Sequence, residues 1–186
     1  MKRSEIPLLG YALLGLLHGS ALSGYDVRKI FTETPMGSFS NSPGAIYPAL
    51  GRLEKAALIR GRIEGSSGLR RRKIFQLTES GTKAFKEWLR RPVTQDDVMH
   101  GPDELMLRFS FMDNAVGEAA TLRFLKSMNK ELSVFAVSLR EFLNSHRIKL
   151  PRSGALALES GVRRYEALLA WSDHAIAVYE GKEENK

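Results

Sequence analysis

Residues 42–55 read Ser42-Pro43-Gly44-Ala45-Ile46-Tyr47-Pro48-Ala49-Leu50-Gly51-Arg52-Leu53-Glu54-Lys55, and residues 56–64 continue Ala56-Ala57-Leu58-Ile59-Arg60-Gly61-Arg62-Ile63-Glu64. Two periods meet in this stretch. Ser42 is a helix N-cap type with proline at the favoured first position, and Ile46, Leu50, Leu53 and Ala57 recur at helical steps, which predicts one buried face. From Ile59 the pattern alternates, with Ile59 and Ile63 set between Arg60, Arg62 and Glu64, which predicts a strand. Pro48 lacks a backbone donor inside the helix, so either the first turn is irregular or the regular helix begins later than the cap implies.

On the N-terminal side, Leu8 to Leu17 is apolar almost all round, which suits a buried helix ended by Gly19. Ser23 then caps a helix over Gly24 to Phe31, in which Asp26 leads and Arg28 and Lys29 trail as the helix dipole favours, and which must end before Pro35. On the C-terminal side, the turn cluster Gly65-Ser66-Ser67-Gly68 joins the first strand to Lys73-Ile74-Phe75-Gln76-Leu77 as a hairpin. Thr78-Glu79-Ser80-Gly81 starts a fourth helix, Lys83 to Arg91, with Phe85, Trp88 and Leu89 inward.

Three helices, a hairpin and a helix make the winged helix-turn-helix arrangement. With Ile46, Leu50 and Leu53 turned to the core, the 100° step of a helix puts Gly44, Pro48, Gly51, Arg52 and Lys55 outward and Tyr47 at their flank. Small residues allow close approach to a groove, bases reach bases or phosphates, and the backbone donors near Ser42 suit a phosphate. The wing adds Arg70, Arg71, Arg72 and Lys73, which strand alternation must divide between two faces. The expected DNA-contacting set is Ser42, Gly44, Tyr47, Pro48, Arg52, Lys55, Arg70, Arg71, Arg72 and Lys73. The plainer reading is a solvated basic face, with Tyr47 as a packing residue; the two readings of Tyr47 stand even.

The charge distribution favours the DNA reading. The chain has 186 residues and a net charge of +7, with 16 Lys+Arg against 7 Asp+Glu up to Pro92 and 12 against 14 beyond it. Pro92 and its polar neighbours mark the expected boundary between a DNA-binding domain, residues 1–92, and a helical domain, residues 93–186. The absence of cysteine excludes disulfides, thiolate metal sites and cysteine nucleophiles. No apolar run approaches the roughly 20 residues of a membrane span, so a soluble cytoplasmic protein without membrane contact is expected. His18, His100, His146 and His174 lack metal-ligand spacing, and neither a phosphate loop nor a nucleophile elbow occurs, so no metal, cofactor or catalytic role is expected.

In the second half, Pro102 and acidic residues open a short amphipathic helix over Asp103 to Met112. Two long helices follow. Thr121, Leu125, Met128, Leu132, Phe135, Leu139 and Phe142 form a heptad seam in the first, and Ala155, Leu158, Val162, Tyr165, Leu169, Ser172, Ile176 and Tyr179 in the second. A turn across Asn144 to Pro151 makes them antiparallel. The seams fit an intramolecular hairpin as well as a dimer. A dimer is favoured because one winged helix reads only a short half-site. Its expected contacts are Leu125, Met128, Leu132, Phe135, Leu139, Leu158, Val162, Tyr165, Leu169 and Ile176. Trp171 lies off the seam, and with Phe109 it is the expected contact for a small aromatic effector; the alternative is core packing.

Gly24-Tyr25-Asp26-Val27, the run Gly44 to Glu54, and Arg72-Lys73-Ile74-Phe75-Gln76-Leu77-Thr78-Glu79-Ser80-Gly81 together resemble the PadR family of bacterial transcriptional regulators. Ile46-Tyr47-Pro48-Ala49-Leu50 followed by Arg52-Leu53-Glu54 is the most specific part. The resemblance implies a mainly α fold with a small β-hairpin, and a homodimeric repressor or, less often, activator on a palindromic operator. It places Ser42, Tyr47, Arg52 and the wing bases near DNA, and it accounts for Pro48, since members of the family tolerate proline there. The second half resembles the helical dimerisation domain of longer members, including virulence-gene activators, which in some members forms part of a ligand pocket. A winged helix turned protein-interaction scaffold is the competing class; it predicts loss of wing bases, and here the wing is enriched in them.

Overall fold

The computed structural model describes residues 6–38, 42–64 and 71–181. The chain divides into two compact units, Met1–Leu89 and Arg90–Lys186.

The first unit holds α1 (Leu8–Gly19), β1 (Leu22–Ser23), α2 (Gly24–Glu33), a 3-10 turn (Pro35–Ser38), α3 (Pro43–Lys55), β2 (Ile59–Glu64), β3 (Arg72–Leu77) and most of α4 (Glu79–Arg90). Its core joins Leu13, Leu14 and Leu17 of α1 with Val27 and Phe31 of α2, Ile46, Leu50 and Leu53 of α3, and Phe85 and Leu89 of α4. Tyr11 stacks on Trp88 with ring centres 4.2 Å apart. The expected cap of α2 is present as a full capping box: Ser23 N donates to Asp26 Oδ2 at 3.0 Å, and Asp26 N donates to Ser23 Oγ at 3.2 Å.

Four local expectations change. The helix α3 runs unbroken from Pro43 to Lys55 with Pro48 inside it, so the irregular first turn is absent. Its cap is backbone: Ala45 N and Ile46 N donate to the Ser42 carbonyl, and the Ser42 hydroxyl makes no capping bond. Ala57 does not extend the buried face; it is exposed and takes φ 56°. Leu58 N donates to Leu53 O and Ala57 N to Glu54 O, so Ala57 occupies the left-handed position of a Schellman stop that turns the chain into β2. Finally, the hairpin is part of a three-stranded antiparallel sheet in the order β1-β3-β2, because Leu22 and Ser23 pair with Phe75 and Ile74. The turn expected at Gly65 to Gly68 lies outside the described residues.

The second unit holds α5 (Gln95–His100), α6 (Pro102–Val116), α7 (Glu118–His146) and α8 (Arg152–Tyr179). The segment expected as a linker is ordered by chemistry of its own. Thr94 and Asp97 form a capping box for α5, and Arg91 Nη2 bridges Asp97 Oδ1 at 2.6 Å and Glu104 Oε1 at 3.2 Å. The helix α6 continues past Met112 to Val116 and stops where Gly117 takes φ 82°. Within it Arg108 is completely buried, donating to the Arg91 carbonyl and standing 4.8 Å from the centre of the Phe124 ring. Burial, reinforced by the Arg91 charge, pushes its guanidinium down to about 10 against the pull of Asp97 and Glu104.

α7 and α8 form an antiparallel hairpin. Asn129 Nδ2 donates to Ser172 Oγ at 2.9 Å and to Asp173 Oδ1 at 2.7 Å, a polar tie across the two helices in which the buried Ser172 hydroxyl accepts from Asn129 and donates to Leu169 O at 2.7 Å. No helix among the described residues is long and apolar enough to cross a membrane.

Candidate nucleic-acid interface

The outer side of α3 carries the residues that helical geometry assigned to it. Gly44, Pro48, Arg52 and Lys55 are exposed, Gly51 is half-buried and Ser42 is exposed at the N-cap. Tyr47 is 49% exposed, and its ring leans on the first residue of α2. A Cβ at Gly24 would stand 2.5 Å from Tyr47 Cε1, so glycine at that position is what lets the ring settle. Half of Tyr47 is therefore packing and half is open surface, and both sequence readings describe it.

On the Tyr47 side of α3 lies a cleft of about 750 Å³, walled by Tyr25 and Arg28 of α2 and by Arg71, Arg72 and Lys73 at the start of β3. Arg28 stands 5.7 Å from the centre of the Tyr25 ring. Tyr25 and Arg28 were absent from the sequence-predicted set. The signal available was a tyrosine and an arginine three residues apart near the start of a capped helix, which places them on one face. Asp26 stands beside this basic wall as part of the α2 cap. Its carboxylate is held below its ordinary value mainly by hydrogen bonds from Ser23, with smaller contributions from Arg72 and Lys29, and so it remains an anion bound into the cap.

Arg52 is not part of that cleft. Five residues along a helix turn roughly 140° away from Tyr47, and Arg52 borders a separate apolar cleft of about 630 Å³ with Pro7, Gly10, Leu53, Ala56 and Leu58. Lys55 is exposed on the last turn of α3. Of the wing block, Arg70 lies outside the described residues, Arg71 and Arg72 are exposed, and Lys73 is engaged: its Nζ lies 2.7 Å from Glu54 Oε2. The structure thus brings Tyr47, Arg71 and Arg72 together with Tyr25 and Arg28, and sets Arg52 and Lys55 on the other flank and end of the same helix.

The residues expected to dimerise fall into two groups. Leu125, Met128, Leu132 and Val162 have no exposed surface within the single chain, so these side chains are spent on the core of the helical unit. Phe135, Leu139, Leu158, Tyr165, Leu169 and Ile176 are half-buried and keep some open surface. Phe135 meets Tyr165 edge-on at 4.7 Å, and the Tyr165 hydroxyl donates to Val98 O at 3.1 Å. Val134, Val137, Phe142 and Leu156 are each at least half exposed.

The two effector candidates meet. Phe109 and Trp171 pack edge-to-face at 5.2 Å, and Tyr179 joins Phe109 at 6.4 Å. The Tyr179 hydroxyl donates to Asp113 Oδ2 at 2.6 Å, and Thr121 Oγ1 donates to Asp113 Oδ1 at 2.6 Å. Burial, then the neighbouring Asp113 carboxylate, raises the Tyr179 hydroxyl well above its ordinary value, so it acts as a fixed donor. Among the described residues no cluster of His, Asp or Glu side chains could hold a metal ion.

A helical core carrying a short sheet, an open third helix and a basic wall beside it defines a winged helix-turn-helix protein. Residues 13–87 match the Transcriptional regulator PadR-like family. The chain belongs to that family. It is 31% identical over 123 residues to the Negative transcriptional regulator PadR of Bacillus subtilis, a match that spans 66% of each chain, so about a third of that relative lies outside it. Among solved structures it is similar to Bacillus subtilis PadR in complex with operator DNA, at 24% identity over 95% of this chain and 99% of that one with a TM-score of 0.44. It is also similar to a PadR-like transcriptional regulator of Bacillus cereus, at 23% identity over 96% and 99% with a TM-score of 0.41.

Proposed function

We propose that the chain is a sequence-specific double-stranded-DNA-binding regulator, acting in the cytoplasm as a homodimeric repressor on a palindromic operator, and that its work is binding and not catalysis. The observation that carries this is the pairing, within one small unit, of an open helix face with a basic aromatic cleft. α3 enters the major groove, where Gly44, Pro48 and Gly51 allow close approach and Arg52 reaches base edges. Ser42 and Lys55 meet phosphates at the two ends of the helix. Tyr47, Arg71 and Arg72, joined by Tyr25 and Arg28, follow the sugar-phosphate backbone. Repression is favoured over activation by the 31% identical relative, which is named a negative regulator.

Two protomers are needed because one α3 spans only a half-site. The distal part of the α7–α8 hairpin supports this reading: Phe142 and Leu156 are 50% and 55% exposed there, an apolar surface that a second copy would cover. The aromatic cluster of Phe109, Trp171 and Tyr179 is the place where a small aromatic effector would act on the helical unit.

The test is selection of duplexes from a randomised pool by the full chain, followed by affinity measurements over a salt series. Enrichment of an inverted repeat and a linear fall of log affinity with log salt are expected. Failure to enrich any sequence would refute the reading.

A further inference from the structure

Glu54 sits in the last turn of α3, beside the buried Leu53, and its carboxylate reaches over β2 to β3. Gly61 N donates to Oε1 at 3.2 Å and Lys73 Nζ donates to Oε2 at 2.7 Å. Gly61 pairs with Phe75 and Ile63 with Lys73, so Gly61, Lys73 and Phe75 share one face of the sheet. A Cβ at position 61 would stand 2.2 Å from Lys73 Cε and 2.7 Å from Glu54 Oε1. The bridge therefore occupies the space that any side chain at position 61 would fill. On its other side the Lys73 ammonium lies 5.3 Å from the centre of the Phe75 ring, whose face attracts a cation. Hydrogen bonds and charge from Lys73, with the Gly61 amide, hold the Glu54 carboxyl below its ordinary value.

One carboxylate thus ties α3 to both strands of the wing, and it does so through Lys73. We propose that Glu54 is a positioning residue for DNA recognition: it fixes the wing against α3 and withholds Lys73 from the phosphates. The proposal rests on the DNA-binding reading above. It explains how an acid can stand at the end of a DNA-facing helix without repelling the duplex, since Lys73 cancels its charge. It also divides the basic block by role. Arg71 and Arg72 supply contacts, and Lys73 supplies geometry.

A pair kept only for stability would shift the melting temperature and leave recognition alone, so the decisive readouts are the salt slope and the ratio of specific to non-specific affinity. The probes are a duplex selected by the wild-type chain from a randomised pool and a scrambled duplex of the same composition. In the full-length protein Glu54→Gln is expected to free Lys73, to steepen the slope of log affinity against log salt by about 0.9 per protomer on both duplexes, and to lower the specific-to-scrambled ratio. Lys73→Met bares the Glu54 carboxylate and is expected to weaken both duplexes alike, while it removes no phosphate contact and so keeps the slope near the wild-type value. The double variant Glu54→Gln with Lys73→Met should return the slope to the wild-type value while the ratio stays low. An unchanged slope and ratio in Glu54→Gln overturns the proposal, and so does a slope made shallower by about 0.9 per protomer in Lys73→Met, which would put that lysine on a phosphate. If Glu54→Gln unfolds the wing, the Lys73→Met slope decides by itself. A wild-type chain that selects no sequence refutes the DNA-binding reading itself, a result distinct from either outcome for Glu54.

Discussion

Removing Arg71 and Arg72 together tests the wing as a backbone-binding device, and the structure sets the size of the effect. Both guanidiniums are exposed on the wall of the cleft, whereas Lys73 is held by Glu54 and does not enter the count. In a dimer, Arg71→Ala with Arg72→Ala deletes four cations. At about 0.9 counterions released per phosphate contact, the slope of log affinity against log salt should fall by roughly 3.6. Between 50 and 200 mM salt the wild-type affinity should therefore drop about 150-fold further than the variant affinity does, from that same slope difference. Fluorescence anisotropy on a selected duplex and on its scrambled counterpart measures this directly. Backbone contacts carry no base information, so the two duplexes should lose affinity in parallel. A slope that stays at the wild-type value would refute the placement of these residues on phosphates. A loss confined to the selected duplex would assign them to base reading instead.

The other expectations concern separate parts of the chain. Arg52→Ala should cost about 1 to 3 kcal/mol on the selected duplex and little on the scrambled one, if its contact is bidentate to a guanine; equal losses on both would make Arg52 a phosphate contact. Ala57→Gly relieves a left-handed alanine at φ 56° and should stabilise the first unit by about 0.5 to 1 kcal/mol net of the greater unfolded-state freedom of glycine. Thermal unfolding should show a rise of a few degrees, and an unchanged or lower midpoint would contradict the Schellman assignment. Phe142→Glu with Leu156→Glu alters two side chains that are at least half exposed, so the fold should persist while sedimentation reports a monomer; a dimer of wild-type strength would place the interface elsewhere.

Legibility from sequence followed locality. Ser23 with Asp26, Ser42 with Pro43, and the change of period at Ile59 act within a few residues of themselves, and the elements they mark stand where they predict. β1 escaped because two residues have no period; Leu22 and Ser23 are a strand only because Phe75 and Ile74 lie beside them. α5 escaped for a different reason. The Thr94-to-Asp97 spacing of a capping box was readable, but a helix of six residues is unstable alone and depends on Arg91 and on the Gln95 amide donating to Glu131 of α7. Arg108 was hidden by composition, since an arginine is almost never fully buried without partners, and the partners are an aromatic ring and a carbonyl contributed by other segments. In the interface, composition marked the basic block but could not divide it. The division comes from Glu54, nineteen residues away from Lys73 in the chain.

The seam of α7 shows how burial departs from a heptad pattern along one long helix. Apart from Phe124, which meets Arg108 of α6, the buried residues run Thr121, Leu125, Met128 and Leu132 in heptad steps, and the next is Ala136, four residues on, where the heptad expected Phe135. A straight helix drifts by about 20° per heptad, so a strict seven-residue repeat cannot keep facing one partner along 29 residues unless the helices supercoil. Here the drift is taken up by a change of seam. The small Ala136 and then Leu143 are buried instead, and Phe135 and Phe142 turn to the flank by roughly 60° to 80° from Leu132. Phe135 finds Tyr165 there, while Phe142 retains half its surface and stacks only on His146. The first turns of the heptad are therefore buried within one chain, and at its last turn Phe142 faces outward while Leu143 stays buried beside it. That outward face keeps its apolar surface open, whereas Leu125 and Leu132, nearer the start of α7, are fully buried within the single chain.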